Sequence, residues 1–387
     1  MSGMSGIKQK VQAVISGEEQ GGRLFLFFLY GLSVCYGLAV RFRSFLYDKG
    51  ILKVNRLACR VVSIGNLTVG GTGKTPMTMF VAKLFRNFGY QPVVISRGYK
   101  GRAEKTGGIV SDGKTILLGP NFAGDEPYMM AQILKGVPVM VGGDRYQIGM
   151  GAIEKFSPDV IILDDAFQHR QLYRDMDLVL VDEKSFLGNM HLLPRGILRE
   201  PVSGLLRADA FILTRSGAKP TSARERLETM MPGKPIFKSY HEPYIAGVIK
   251  GGDGKSHEAF PAISIGDGEG DFAGGFEFLK ESTVFVFSGI AKNKEFKSMV
   301  KEMVKKVAGD VQFSDHHTYS KKDFRIILDQ AQKCSAEFLV TTEKDYVKIA
   351  GNIISAMDIV VMGIKVSFKE DEAKFAAFIR DRMHNYK

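Results

Sequence analysis

The sequence predicts an α/β protein: a P-loop NTPase-type doubly wound parallel sheet with a second, smaller α/β lobe and an N-terminal apolar membrane-associated helix. Three observations predict it. Short, nearly continuous apolar runs alternate with amphipathic stretches, as in parallel strands buried on both faces and crossed by helices. The first run, Val61-Val62-Ser63-Ile64, breaks into a glycine-rich turn and restarts as a helix at Lys74-Thr75. The alternation lapses over about 241–280 and resumes at Val284. The chain therefore divides into an N-terminal segment (1–50, with the apolar helix at about 24–40), a P-loop domain (51–235), a glycine-rich linker or hairpin (236–280) and a C-terminal α/β lobe (281–387).

Leu24 to Val40 carries no charge and is flanked by Arg23, Arg41 and Arg43. Its length sits at the lower edge of the roughly 17–25 residues that span a bilayer. A short spanning anchor, a helix lying in the membrane interface and a buried core helix all satisfy the pattern. Tyr30, Tyr36 and the arginines suit the interface. No small-x-small cleavage site follows, which argues against a cleaved leader.

In Thr68-Val69-Gly70-Gly71-Thr72-Gly73-Lys74-Thr75 the glycines let backbone N–H groups converge on phosphate oxygens. The N-terminus of the helix that runs to about Phe88 favours the same anion. Lys74 has the reach for β- and γ-phosphates, and the Thr75 hydroxyl can ligand Mg²⁺. Thr68 stands where the common motif has its first glycine.

The next strand, Pro92 to Ser96, ends in Arg97-Gly98-Tyr99-Lys100-Gly101. This is either a ligand loop of a parallel sheet or a solvated turn. Ser111-Asp112-Gly113-Lys114 reads as a hairpin turn. Gly124-Asp125-Glu126-Pro127 opens a helix that Asp125 can cap, with Pro127 in the first turn. Val137 to Val141 is a third strand, and Gly143-Asp144-Arg145-Tyr146 leads into another helix. Val160 to Leu163 followed by Asp164-Asp165 is a Walker-B-like strand end, able to hold Mg²⁺ beside Thr75. Gln168 and His169, just beyond, can face phosphates or order a water, though loop packing would also explain His169.

Strands at Asp177–Asp182 and Ala210–Arg215 enclose a proline-bounded loop carrying Arg195, Arg199 and Glu200. Glycine-rich turns at Gly251–Lys255 and Gly266–Gly270 punctuate the linker. In the second lobe Val284 to Phe287 and Phe338 to Thr342 read as strands. Ser320 and Asp323 make a capping box, which leaves Asp315, His316 and His317 in the preceding loop.

Composition narrows the class further. The 387 residues carry a formal net charge of +11, with 45% hydrophobic and 25% charged residues. A basic surplus suits an anionic partner, either a membrane surface or a phosphorylated substrate. The basic residues are scattered, which disfavours nucleic acid. Three widely spaced cysteines, Cys35, Cys59 and Cys334, form neither a disulfide framework nor a zinc site.

These blocks, taken in order, resemble the tetraacyldisaccharide 4′-kinase (lipid A 4′-kinase) family. The resemblance rests on Gly65 to Pro76, Ser96-Arg97-Gly98-Tyr99, Gly124 to Pro127, Asp164-Asp165-Ala166-Phe167-Gln168-His169 and Thr341-Thr342-Glu343-Lys344-Asp345, and spans nearly the whole chain. Thr68 is a familiar feature of that family's loop. Ala291-Lys292-Asn293-Lys294 departs from its common Asn-Pro.

The resemblance implies an ATP- and Mg²⁺-dependent phosphotransferase with an alcohol acceptor, the 4′-hydroxyl of a lipid A disaccharide 1-phosphate. It implies work at the cytoplasmic face of the inner membrane. It makes Lys74 a catalytic residue and Asp125 the general base, assisted by His316. Thr68, Val69, Gly70, Gly71, Thr72, Gly73, Lys74, Thr75, Gln168 and Glu200 fall near nucleotide, and Thr75, Asp164 and Asp165 near the metal. Arg97, Tyr99, His169, Arg195 and Arg199 remain candidates for substrate groups. The competing class is a P-loop switch ATPase or GTPase acting at the membrane. The guanine-reading Asn-Lys-x-Asp spacing is absent, because Lys344 directly precedes Asp345.

Overall fold

The computed structural model describes residues 14, 22–217, 221–252, 276–349 and 355–384. Of the glycine-rich turns expected at Gly251–Lys255 and Gly266–Gly270, the first from residue 253 onward and the whole of the second lie outside these residues.

The first lobe is built on α1 (Arg23–Asp48), β1 (Arg60–Asn66), α2 (Lys74–Asn87), β2 (Pro92–Ser96), β3 (Gly108–Ser111), α3 (Asp125–Ile133), β4 (Val139–Val141), α4 (Arg145–Phe156), β5 (Val160–Asp164), β6 (Met176–Asp182), β7 (Ala210–Thr214), α5 (Ala223–Met230) and β8 (Ile236–Lys238). The strands form one sheet in the order β3-β4-β2-β5-β1-β6-β7-β8. All neighbours are parallel except β3 with β4. Strands β2, β5, β6 and β7 are buried along their whole length. That two-sided burial is why they read as continuous apolar runs rather than alternating ones.

The strand order reverses around β1, which lies between β5 and β6, and the crevice at such a switch point is where an open α/β sheet takes its ligand. Gly65 permits the construction. A Cβ there would stand 2.5 Å from Cβ of Phe167, so only glycine lets the loop after β5 pack against β1.

The second sheet has the order β11-β10-β12-β13-β9. It uses β9 (Tyr240–Ile249), β10 (Thr283–Ser288), β11 (Lys306–Gln312), β12 (Phe338–Thr342) and β13 (Ile359–Ser367), with β9 antiparallel to β13. Residues 236–249, expected as part of a linker or hairpin, instead supply β8 of one sheet and β9 of the other. Helices α6 (Asn293–Lys301), α7 (Lys321–Lys333) and α8 (Glu343–Ile349) belong to this lobe. Ser320 and Asp323 form the expected capping box at the start of α7.

The final helix, α9 (Glu372–His384), crosses back. Phe368, Phe375, Ile379 and Met383 share one core with Val62, Ile64 and Met77 of the first lobe. Phe375 stacks on Phe368 at 4.2 Å and meets Phe237 edge-on at 5.2 Å. The two lobes are thus welded by apolar burial and not merely tethered.

Helix α1 packs by one stripe only. Ser33 Oγ donates to the Leu192 carbonyl at 2.7 Å, Tyr36 OH to the Arg199 carbonyl at 2.6 Å, and Arg170 reaches Asp48 at 2.6 Å. The opposite face leaves Leu24, Phe27, Phe28, Leu38 and Phe42 exposed, Leu24 by 87% and Phe27 by 76%. The buried-core-helix reading is excluded by that exposure.

Candidate active site

Gly73 caps α2 at φ +86° and Gly70 sits at φ +105°, both in the left-handed region that glycine adopts freely. Lys74 is the first residue of α2. Its Nζ lies 3.2 Å from Asn66 Oδ1 and 3.7 Å from Asp165 Oδ1. Burial pulls this ammonium below its ordinary value, against the opposing pull of Asp165. Asn66 Nδ2 in turn donates to Thr68 Oγ1 at 3.2 Å. The threonine in the place of the usual glycine thus orients the asparagine that holds the lysine. Thr72 Oγ1 is buried and has no hydrogen-bond partner among the described residues, and Thr75 Oγ1 lies 3.4 Å from Glu126 Oε2.

Asp164 ends β5 buried at the wall of the cleft, accepting from Thr78 Oγ1 at 3.0 Å and Ser96 Oγ at 3.2 Å. Burial, reinforced by the nearby Glu126 and Asp165 carboxylates, pushes its carboxyl up to about 7. Burial also works against ionised Asp165, yet Lys74 and Arg199 outweigh it and hold that carboxyl below its ordinary value. Arg199 Nη1 contacts both Asp165 oxygens, at 2.9 and 3.1 Å.

Among the described residues no three His, Cys, Asp or Glu side chains are grouped to hold a metal alone. That suits Mg²⁺, which takes one or two carboxylates and completes its shell with water and phosphate oxygens. Glu126, close enough to raise the Asp164 carboxyl, stands 3.4 Å from the Thr75 hydroxyl, and the three make a donor set that fits such an ion.

The second lobe closes the other side. His316 Nδ1 lies 3.1 Å from Asp125 Oδ2, and Lys348 Nζ lies 3.9 Å from the same oxygen. Burial opposes charge on Asp125, but His316 and Lys348 prevail and keep its carboxyl below the ordinary value. Asp125 does not cap α3; Gly124 occupies that position with no side-chain cap. The carboxylate is turned to the histidine instead.

Thr342 and Asp345 turn the chain into α8 by mutual hydrogen bonds, Oγ1 to Oδ2 at 2.7 Å and N to Oγ1 at 3.1 Å. Lys344 and Lys348, four apart, then share the helix face that meets Asp125 and Glu126.

Between these walls lies a cleft of about 800 Å³. It is lined by Tyr36 and Arg43 of α1, by Arg97 and Arg145, and by Asp164 and His316.

The model of tetraacyldisaccharide-1-P 4′-kinases matches residues 25–384. The chain belongs to the tetraacyldisaccharide 4′-kinase family. It is 39% identical to the tetraacyldisaccharide 4′-kinase of Desulfatibacillum aliphaticivorans over 98% of this chain and 99% of that one. It is 36% identical to the Aquifex aeolicus enzyme of the same name, over 89% and 95% respectively. The crystal structure of LpxK from Aquifex aeolicus in complex with ATP superposes with a TM-score of 0.70 and 34% identity, covering 93% of this chain and 99% of that one.

Of the residues that the family resemblance singles out, Val69, Arg97, Tyr99, Asp165, Gln168, His169, Arg199 and Glu200 all line the cleft. His169 is half-buried, and burial together with Arg145 and Arg174 drives its imidazole down to about 4, so it is neutral. Glu200 is held by Arg207 at 2.8 and 2.9 Å and by Gln168 Nε2 at 2.9 Å. Gln168 also donates to the Asn66 carbonyl at 2.9 Å, bracing the start of the P-loop.

Arg195 departs from expectation. It does not line the cleft, and its backbone N–H donates to Ser33 Oγ of α1 at 3.0 Å.

Sequence reasoning passed over Arg145, which is 95% buried with its Nε unpartnered and Nη1 donating to the Gly143 carbonyl at 2.9 Å. A signal existed. Arg145 follows the N-cap Asp144 directly, and a cation in the first turn of a helix opposes the dipole. A site that selects it there needs positive charge.

Proposed function

We propose that this family member transfers the γ-phosphoryl group of ATP to the 4′-hydroxyl of a multiply acylated disaccharide 1-phosphate, working at the cytoplasmic face of the inner membrane. The observation that carries the reading is the Asp125–His316 pair, joined across the two lobes at 3.1 Å, with His316 lining the same cleft as Asp164 and Asp165 at the end of β5.

Phosphoryl transfer asks the protein for positioning, charge neutralisation and one acceptor for the hydroxyl proton. Lys74 and the N–H groups from Gly70 to Thr75 would hold the phosphates. Mg²⁺, held by Thr75 with Asp164 and Asp165, would neutralise charge on the phosphoryl oxygens. Asp125 is kept ionised by its neighbours and receives the proton of the attacking hydroxyl. His316 orients that carboxylate. Arg97, Tyr99, Arg145, His169 and Arg199 line the space for the sugar and its phosphate, with arginine the residue suited to bidentate capture of such an anion.

An acylated acceptor stays in the bilayer, so the enzyme must meet it there. The stripe of α1 bound to the body runs from Ser33 to Asp48. A helix docked along that length lies in the interface, with its exposed phenylalanines and leucines toward lipid.

The test is a transfer assay with γ-labelled ATP, Mg²⁺ and lipid A disaccharide 1-phosphate in detergent micelles. Label on the lipid with wild type, lost with Lys74→Ala and Asp125→Ala, is expected. Phosphate release indifferent to the lipid would instead establish a switch ATPase.

A further inference from the structure

We infer that Lys344 is a positioning residue that fixes the single proton of the His316 ring on Nδ1, facing Asp125. The inference rests on the reading of Asp125 as the base.

Lys344 Nζ lies 2.9 Å from Glu126 Oε1, 3.3 Å from Asp315 Oδ1 and 3.3 Å from His316 Nε2. Burial works against its charge, but Glu126 and Asp315 outweigh burial and hold the ammonium above its ordinary value. An ammonium has donors only. Its contact with Nε2 therefore requires a lone pair on that nitrogen, and the neutral ring then carries its proton on Nδ1, which donates to Asp125 Oδ2.

The opposite tautomer would set two donors face to face at Nε2 and a lone pair against a carboxylate at Nδ1. The remaining groups around the ring do not reverse this. Asp315 Oδ2 stands 3.8 Å from Nε2, beyond hydrogen-bond reach. Tyr99 presents its ring at 5.5 Å, edge-on. Lys348 faces Asp125 and is itself bound to Asp345 at 3.0 Å.

The consequence for the reaction is a division of labour. A ring that donates through Nδ1 and is capped at Nε2 by a cation holds the base without competing for the substrate proton. The second oxygen of Asp125 is left for the hydroxyl. Lys344 and His316 come from the second lobe and Asp125 and Glu126 from the first, so the ring is bracketed by groups of both lobes.

The experiment is a two-bond ¹H–¹⁵N correlation of full-length protein labelled at histidine, in detergent micelles at neutral pH. The His316 signals are assigned by their loss in His316→Gln. Wild type is expected to show a protonated Nδ1 and an unprotonated Nε2. In Lys344→Met the Nε2 signal should move toward the protonated position, and Lys344→Arg should restore it. Turnover of Lys344→Met should fall about 10–100-fold, as when a partner that orients a functional imidazole is removed, with KM for ATP unchanged.

A wild-type ring protonated at Nε2 would overturn the inference, and that spectrum decides even if the methionine variant does not fold. Ring signals unaltered in a folded Lys344→Met would overturn it too. Turnover retained by Asp125→Asn would instead remove the base assignment while leaving the tautomer standing.

Discussion

Asp125→Asn keeps the shape of the side chain and removes its proton affinity. Loss of a positioned general base costs 10²–10⁴-fold. The structure places this residue in the lower part of that range. His316 and Lys348 hold the carboxyl below its ordinary value despite burial, and a weaker base draws less benefit from taking a proton in the transition state. The expected loss in kcat is therefore about 10²–10³-fold, or about 3–4 kcal/mol.

The variant should fold. Lys348 keeps Asp345 at 3.0 Å, and an asparagine oxygen still accepts from His316. The assay is the initial rate of label transfer to lipid at saturating ATP and neutral pH, with KM for ATP measured alongside. Because the carboxyl is depressed, wild-type ionisation of Asp125 is complete above the ordinary carboxylate range, and its stabilising pairing is lost only as pH falls through the lower folded value. A kcat within fivefold of wild type at neutral pH would refute the argument, whatever happened to KM.

Phe375 is fully buried in the core shared by the lobes, so Phe375→Ala should cost about 3–5 kcal/mol in urea unfolding; a loss under 1 kcal/mol would show the lobes are not welded there. Glu343 is buried under Tyr244, whose OH donates to it at 2.6 Å, and burial pushes its carboxyl from 4.5 up to about 7. The folded chain then holds a proton that the unfolded chain releases, so stability falls as pH rises from about 4.5 to 7 and is flat above. Glu343→Gln should abolish that slope and exceed wild type above pH 7 by on the order of 3 kcal/mol, read from unfolding at pH 5 and pH 8. Replacing Phe27 and Phe28 together by serine should weaken co-sedimentation with anionic vesicles by about a hundredfold, roughly 3 kcal/mol of apolar burial, while transfer to a detergent-dispersed lipid survives.

The sequence by itself determined the parts whose physics is local. The P-loop is legible because its glycines answer to backbone geometry within one turn. The parallel strands are legible because two-sided burial writes a continuous apolar run, and the start of α7 because its cap closes within four residues. Elements with mixed composition were not legible. Strand β11 is a half-exposed sheet edge interrupted by Gly309, and β9 carries Glu242 and Pro243 in a segment that reads as linker. Helix α9 is amphipathic toward a core that lies in the other lobe, so nothing near it in the chain announces its partner.

The same distinction divides the site. From its neighbours in the chain Asp125 reads as a helix cap, and only the family resemblance pairs it with His316, 191 residues away, to which the fold turns its carboxylate. Arg195 and Arg199 share one loop, yet Arg199 lines the cleft and Arg195, in a turn that meets α1, does not. Lys344 and Arg145 gain meaning only from carboxylates and a cleft that distant segments assemble. Charge–charge and hydrogen-bond energies depend on distances of a few ångströms between groups far apart in the chain, and those distances exist only once both lobes have packed.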